Sequence, residues 1–260
     1  MATAIITGGS QGLGLKFAEA LAAAGCDLVV VARGEEALAK AKQSLEQVYS
    51  VKVTTMSVDL ADAQAVEKVV DKVRRTKDLA YFINNAGFGV HIDADAHSKK
   101  AHDLQRSALD VMALNTLLFS TTAASVMKRQ QYGHIINVSS TSAWLFNGNY
   151  SAIKAYVLTY TQSLALSLEG TGVTATAVCP SWMHTNFHAA VGLGEPSVPE
   201  WLYVHPDQVV DQALKGARQG KSVVVPTWRW KFIIWCLQHG PIALRRHVSR
   251  RYQATDNYKK

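Results

Sequence analysis

Apolar residues along this chain alternate between two rhythms. Short runs that are apolar nearly throughout, at residues 2–7, 28–31, 51–58, 79–83, 134–138, 173–178 and 222–225, read as strands buried on both faces. Between them, apolar positions recur every three or four residues over 12–24, 35–48, 61–75, 104–127, 150–168 and 207–218, and predict helices; Leu13, Phe17 and Leu21 are one such row. Gly25 stops the first of these helices. The alternation predicts an α/β fold: a doubly wound parallel sheet of about seven strands with helices on both faces. No internal repeat and no Pro- or Ser-rich linker divides residues 1–225, which are expected to form one domain. Two stretches break the rhythm: 184–205, too long for a turn, and 226–260.

Composition narrows the function classes. The chain has 260 residues, 48% of them hydrophobic and 18% charged, which excludes a disordered chain. Cys26, Cys179 and Cys236 are far apart and form no C-x-x-C, so neither a disulfide framework nor a thiolate zinc site is expected. The opening residues have no basic segment ahead of an apolar one, so no secretory leader is expected, and the protein is expected to be cytoplasmic. The net charge of +7 is local. Residues 1–225 hold 19 basic and 19 acidic side chains, whereas 226–260 hold eight Lys/Arg against Asp256. A balanced body argues against a nucleic-acid partner.

The first strand runs into Thr7-Gly8-Gly9-Ser10-Gln11-Gly12-Leu13-Gly14, which opens the first helix. Glycines let backbone approach a ligand closely, and a helix N-terminus offers free N–H groups to an anion such as pyrophosphate. Later, Tyr150 and Lys154 stand four apart on one predicted helix and so share a face. An ammonium beside a phenol favours the phenolate, which suits the pair to acid/base work near neutral pH.

The spacing T-G-x-x-x-G-x-G resembles the short-chain dehydrogenase/reductase family, and further matches follow in order. These are Asp59-Leu60, Asn84-Asn85-Ala86-Gly87, Asn115, Ser139-Ser140, Tyr150-Ser151-Ala152-Ile153-Lys154 and Cys179-Pro180. The resemblance covers residues 1 to about 225 and implies a Rossmann-type, nicotinamide-dependent oxidoreductase. It implies that Gly8, Ser10, Gln11, Gly12, Leu13 and Gly14 cradle the pyrophosphate and that Asp59 and Leu60 flank the adenine. Asn85, Ala86 and Gly87 would let the fourth strand approach the ribose, and Pro180 and Thr185 would contact the nicotinamide side. Where NAD enzymes place an acidic residue this chain has Arg33, whose guanidinium can pair with a 2′-phosphate; NADP is therefore expected over NAD. Asp59 could also cap a helix beginning at Ala61.

By the same resemblance Tyr150 donates a proton to the carbonyl oxygen, and Lys154 tunes it and holds the nicotinamide ribose. Ser140 steadies the substrate oxygen, and Asn115 shapes the lysine's helix and anchors a water. Family members place the serine a dozen or more residues before the tyrosine; here Ser140 precedes Tyr150 by ten. Either Ser140 still reaches the site or Ser139 or Ser142 takes its place.

Residues 184–205 are expected to form a substrate lid, and Trp144, Phe146, Phe187 and Trp201 are the expected apolar contacts for a hydrophobic ketone or alcohol. His184 and His188 are spaced as a helical pair could be around a metal, but no third ligand is evident and no metal is expected. The segment 226–260 combines Trp228, Trp230 and Trp235 with basic residues, which suits either packing on the body or a peripheral membrane contact. The resemblance further implies a homodimer or homotetramer. Two other readings stay open: a membrane-associated lipid or 3-oxoacyl reductase, and a non-catalytic NADP-binding sensor.

Overall fold

The computed structural model describes residues 1–90, 96–183 and 199–256. Seven strands form one parallel sheet: β1 (Thr3–Thr7), β2 (Asp27–Ala32), β3 (Val53–Ser57), β4 (Leu79–Asn84), β5 (Gly133–Val138), β6 (Val173–Val178) and β7 (Val223–Val224). Their order is β3-β2-β1-β4-β5-β6-β7, so the winding reverses between β1 and β4. Open α/β sheets bind ligands at such a switch point, beyond the carboxyl ends of the strands. The register sets those ends level: Thr7 is opposite Asn84, and Asn84 is opposite Asn137.

Both faces of the sheet are covered, as the uniformly apolar strands require. Helices α1 (Gly12–Ala23), α2 (Glu35–Tyr49) and α7 (Pro206–Arg218) bury Phe17, Leu21, Leu45 and Val209 on one face. On the other, α3 (Ala63–Arg75), α4 (Lys99–Leu109), α5 (Asn115–Gln130) and α6 (Gly148–Ser167) contribute Val69, Phe119, Met127 and Ile153. The predicted helix over 104–127 begins earlier and is not uniform. Ser98 caps its start by accepting from the Ala101 N–H, and a π turn at Asp110–Leu114 separates α4 from α5. By length and composition the stretch Lys99–Gln130 could cross a membrane, but Phe119, Ala123 and Met127 are buried against the sheet, as in a core helix.

Asp62, and not Asp59, caps α3, accepting from the Gln64 N–H at 2.9 Å. Asp59 instead accepts from the Ala61 N–H and shapes the turn before the helix. The C-terminal segment folds into α8 (Trp228–His239) and α9 (Ile242–Asp256), with Gly240-Pro241 breaking them apart. Thr227 caps α8, and its inner face buries Trp230, Ile234 and Leu237.

Candidate active site

Beyond the strand tips lies a cleft of about 480 Å³, within the range of small-molecule sites. Its floor is stitched by Thr7 and Asn85. The Thr7 hydroxyl accepts from the Asn85 and Ala86 N–H groups, and the Asn85 amide donates to the Thr7 and Gly8 carbonyls, all at 3.1 Å. These bonds join the β1 and β4 tips just where the glycine loop leaves the sheet.

The loop is built for close approach. A side chain at Gly14 would overlap the Gly8 carbonyl oxygen, so the loop can fold back on the first turn of α1 only with glycine there. Gly12 has φ +55° with open space where a Cβ would sit, and it lines the cleft. Among the described residues no side chain caps the start of α1, so its first N–H groups are available to an anion. Gly8, Ser10, Gln11, Gly12 and Leu13 all line the cleft, whereas Gly14 packs behind them.

Further along the same wall are Arg33, Asp59, Leu60, Asn85, Ala86 and Gly87. Arg33 is exposed at the β2 tip, and none of the ion pairs among the described residues involves it. Asn115 does not line the cleft: its buried amide donates to the Leu60 carbonyl at 2.6 Å and ties the start of α5 to the β3 end. The π turn ahead of it sets Val111 on the cleft and Met112 against Gly87.

Tyr150 and Lys154 share the cleft-facing side of α6, with the Lys154 ammonium 5.7 Å from the Tyr150 ring centre. Lys154 is only 4% exposed and donates to the Val138 carbonyl at 2.9 Å. Burial pulls its pKa down from 10.5 to about 8, against a smaller opposing effect of Cys179. Burial pushes the Cys179 thiol up to about 12, so it stays protonated as a small apolar group.

The three serines separate. Ser139 is buried and donates to the Lys154 carbonyl at 2.7 Å, and Ser142 is buried away from the cleft. Ser140 is part-exposed, lines the cleft, and accepts from the Ser142 N–H at 3.1 Å, which leaves its own proton to donate elsewhere. Pro180 also lines the cleft and accepts from the Thr141 N–H, closing the short loop onto the β6 end.

The apolar contacts expected for a substrate are placed otherwise. Trp144 lines a separate hollow between α6 and α8, Phe146 lies under the Arg245 guanidinium at 4.2 Å, and Trp201 is exposed; none of the three lines the cleft. The cause is α9, which draws the 141–147 loop toward itself: Arg245 donates to the Trp144 carbonyl at 2.6 Å, and Phe146 N–H donates to Ser249 at 2.9 Å. Thr185 and Phe187, with His184, His188 and the lid up to residue 198, lie outside the described residues. The apolar wall of the cleft comes instead from Phe88, Val111, Trp182 and Met183, and Asn147 adds an amide. The sequence signal for Trp182 and Met183 was their place directly after the β6 tip.

The residues present fit a nicotinamide dinucleotide. The uncapped helix and glycine cradle suit its pyrophosphate. The Ser181 hydroxyl, buried at the cleft without a hydrogen-bond partner among the described residues, is an orphaned polar group that a carboxamide would satisfy.

Comparison with known proteins agrees with this geometry. The family described as short chain dehydrogenase matches residues 2–195. D-beta-hydroxybutyrate dehydrogenase of Cupriavidus necator is 32% identical over 70% of this chain and 71% of its own length. 3beta-hydroxysteroid dehydrogenase 2 of Eggerthella lenta is 31% identical over 75% of each chain. A short-chain dehydrogenase from Sphingobium yanoikuyae, solved in complex with NADPH, superposes with a TM-score of 0.82 at 26% identity, covering 92% of this chain and 94% of its own.

Proposed function

The chain belongs to the short-chain dehydrogenase family and is an oxidoreductase, and on that premise we propose that it is an NADP(H)-dependent carbonyl reductase for an apolar ketone/alcohol pair. The observation that carries the catalytic reading is the Tyr150–Lys154 pair, with the lysine buried and the Ser140 hydroxyl on the same cleft.

A nicotinamide dinucleotide held by Gly8, Ser10, Gln11, Gly12 and Leu13 would supply or accept the hydride. Tyr150 Oη gives its proton to the substrate carbonyl oxygen, which becomes the alcohol. The Lys154 cation stabilises the negative charge left on the phenol oxygen. Ser140 Oγ–H donates to the substrate oxygen as charge gathers there. Phe88, Val111, Trp182 and Met183 keep water from the reacting carbonyl and favour a hydrophobic substituent. Arg33 supports the NADP preference: an exposed guanidinium at the β2 tip, in none of the ion pairs among the described residues, suits a 2′-phosphate and would leave NAD with nothing to pair.

Oxidation of NADPH and NADH across ketones, from small ketoesters through steroids to long-chain 3-oxoacyl thioesters, tests the reading, with Tyr150→Phe alongside. Turnover with NADPH on the bulky ketones, lost by about 10²–10⁴-fold in the variant while NADPH still binds, is expected. Undiminished turnover in Tyr150→Phe, or NADPH binding without turnover on any ketone, would overturn it.

A further inference from the structure

The α8–α9 pair lies beyond residues 2–195, the stretch matched to the family, and it carries an unusual set of exposed side chains. Along α8, Trp228, Phe232 and Trp235 recur at four and three residues and are 76%, 62% and 57% exposed. The Phe232 and Trp235 rings stack at 6.4 Å, and His239 continues the row at 5.2 Å from Trp235. On α9, Ile242 and Leu244 are exposed as well. The same two helices carry Lys231, Arg246, Arg250 and Arg251, all exposed, and the only acidic residue from 226 to 260 is Asp256.

We propose that this face docks the protein peripherally on an anionic lipid bilayer. Three large rings held in water are costly unless something apolar receives them. The exposed basic residues of the same helices select a receiving surface that is negatively charged. Aromatic bodies with basic residues beside them match the boundary between acyl chains and anionic headgroups. At 12 residues, α8 is about 18 Å long, too short to span a hydrocarbon core of about 30 Å, so it lies in the plane of the surface. Its inner face stays committed to the body: Trp230 Nε1–H donates to the Leu202 carbonyl at 3.0 Å, and Arg245 and Ser249 hold the 141–147 loop. Docking therefore brings the loop that leads to Tyr150 down to the membrane with it. The docking itself does not rest on the reductase reading.

Co-sedimentation of the full chain with vesicles of phosphatidylcholine, alone or mixed with phosphatidylglycerol, tests this at low and high salt. Binding to the mixed vesicles that weakens with salt is expected, at least about tenfold tighter than to phosphatidylcholine alone. Replacing the rings together (Trp228→Ser, Phe232→Ser, Trp235→Ser) and replacing two of the basic residues (Arg246→Glu, Arg250→Glu) should each weaken it about tenfold. These side chains are exposed, so an unchanged unfolding midpoint shows that each variant still folds. Failure to bind the mixed vesicles would overturn the proposal, as would binding that neither set of replacements changes. So would self-association, or binding of an RNA probe, that is lost with the same replacements while vesicles are ignored.

Discussion

A lysine held at 4% exposure beside the Tyr150 phenol should leave a signature in the pH dependence of stability. Its pKa is about 8 in the folded protein against an ordinary 10.5. Below about pH 8 the group is charged in the folded and unfolded chains alike, and the fold bears the full cost of a buried ammonium, about 3 kcal/mol. Between about 8 and 10.5 the unfolded chain binds a proton that the folded protein has shed, so stability rises with pH through that window. Above it the cost is gone. Lys154→Met keeps the length and apolar stem but removes the titration. It also orphans the Val138 carbonyl, at a cost of about 1–3 kcal/mol that does not vary with pH. The diagnostic quantity is therefore the change in the difference between wild type and variant.

From about pH 7 to about pH 9.5 the wild type should gain roughly 2 kcal/mol on Lys154→Met, or roughly 4 °C in unfolding midpoint for a chain of this size. Cys179 stays a thiol in the folded protein across this range while the unfolded chain ionises it near pH 9, a loss of stability common to wild type and Lys154→Met that cancels in their difference. Repeating the pair in a Tyr150→Phe background removes the neighbouring phenol from the comparison. Thermal unfolding of the cofactor-free protein at both pH values makes the measurement. Midpoints of the two proteins that run parallel within about 1 °C would refute the buried-ammonium account.

The cradle and the brace give three further expectations. Arg33→Asp should lower the preference for NADPH over NADH by ten- to a hundredfold, from loss of a charge-assisted pair of about 1.5–3 kcal/mol, read as the ratio of kcat/KM values. Gly14→Ala should abolish folding of the loop, because its Cβ meets the Gly8 carbonyl, whereas Gly12→Ala meets no protein atom and should cost the fold only the left-handed strain of about 1–2 kcal/mol while weakening cofactor binding at the cleft it lines; a thermal melt and calorimetric titration with NADP separate the two. Arg245→Met combined with Ser249→Ala releases Trp144 and Phe146 from α9, so the 141–147 loop should become sensitive to protease and kcat should fall severalfold while NADPH affinity holds.

The sheet was legible because a strand buried on both faces must be apolar nearly throughout, and each of the seven runs contains its strand to within a residue or two. The start of α4 was not, since Lys99, Lys100, His102 and Asp103 carry no apolar period there. Between Asp59 and Asp62 the local pattern had no means to choose the helix cap, because both precede the same apolar row. Most of the residues that line the cleft followed from motif order. The aromatic loop misled for a physical reason: the partner that turns Trp144 and Phe146 aside is a helix about a hundred residues later, and no local rhythm announces a contact of that range. Within the serine cluster, spacing could not tell which hydroxyl was already spent, whereas the bond from Ser139 to the Lys154 carbonyl does.

What holds the two halves of the cleft in register lies one residue beneath it. Asn84 and Asn137 face each other across β4 and β5, and the Asn84 amide donates to the Asn137 carbonyl oxygen at 2.8 Å. Ser120 from α5 donates to the same oxygen and accepts from Asn84, and the Asn137 amide donates to Thr161 from α6 at 2.9 Å. These four polar side chains are buried, so removing any one orphans its partners, at about 1–3 kcal/mol each. The next residues along the strands line the cleft. Asn85 follows Asn84 and stitches the glycine cradle, while Val138 follows Asn137 and receives the Lys154 ammonium. Thr161 lies two helical turns beyond Lys154 on α6. The network thus fixes the cradle, the lysine and its helix against one another at a single buried point. That is a physical reason for the asparagine at the end of β4, a polar residue that an otherwise apolar strand would not choose.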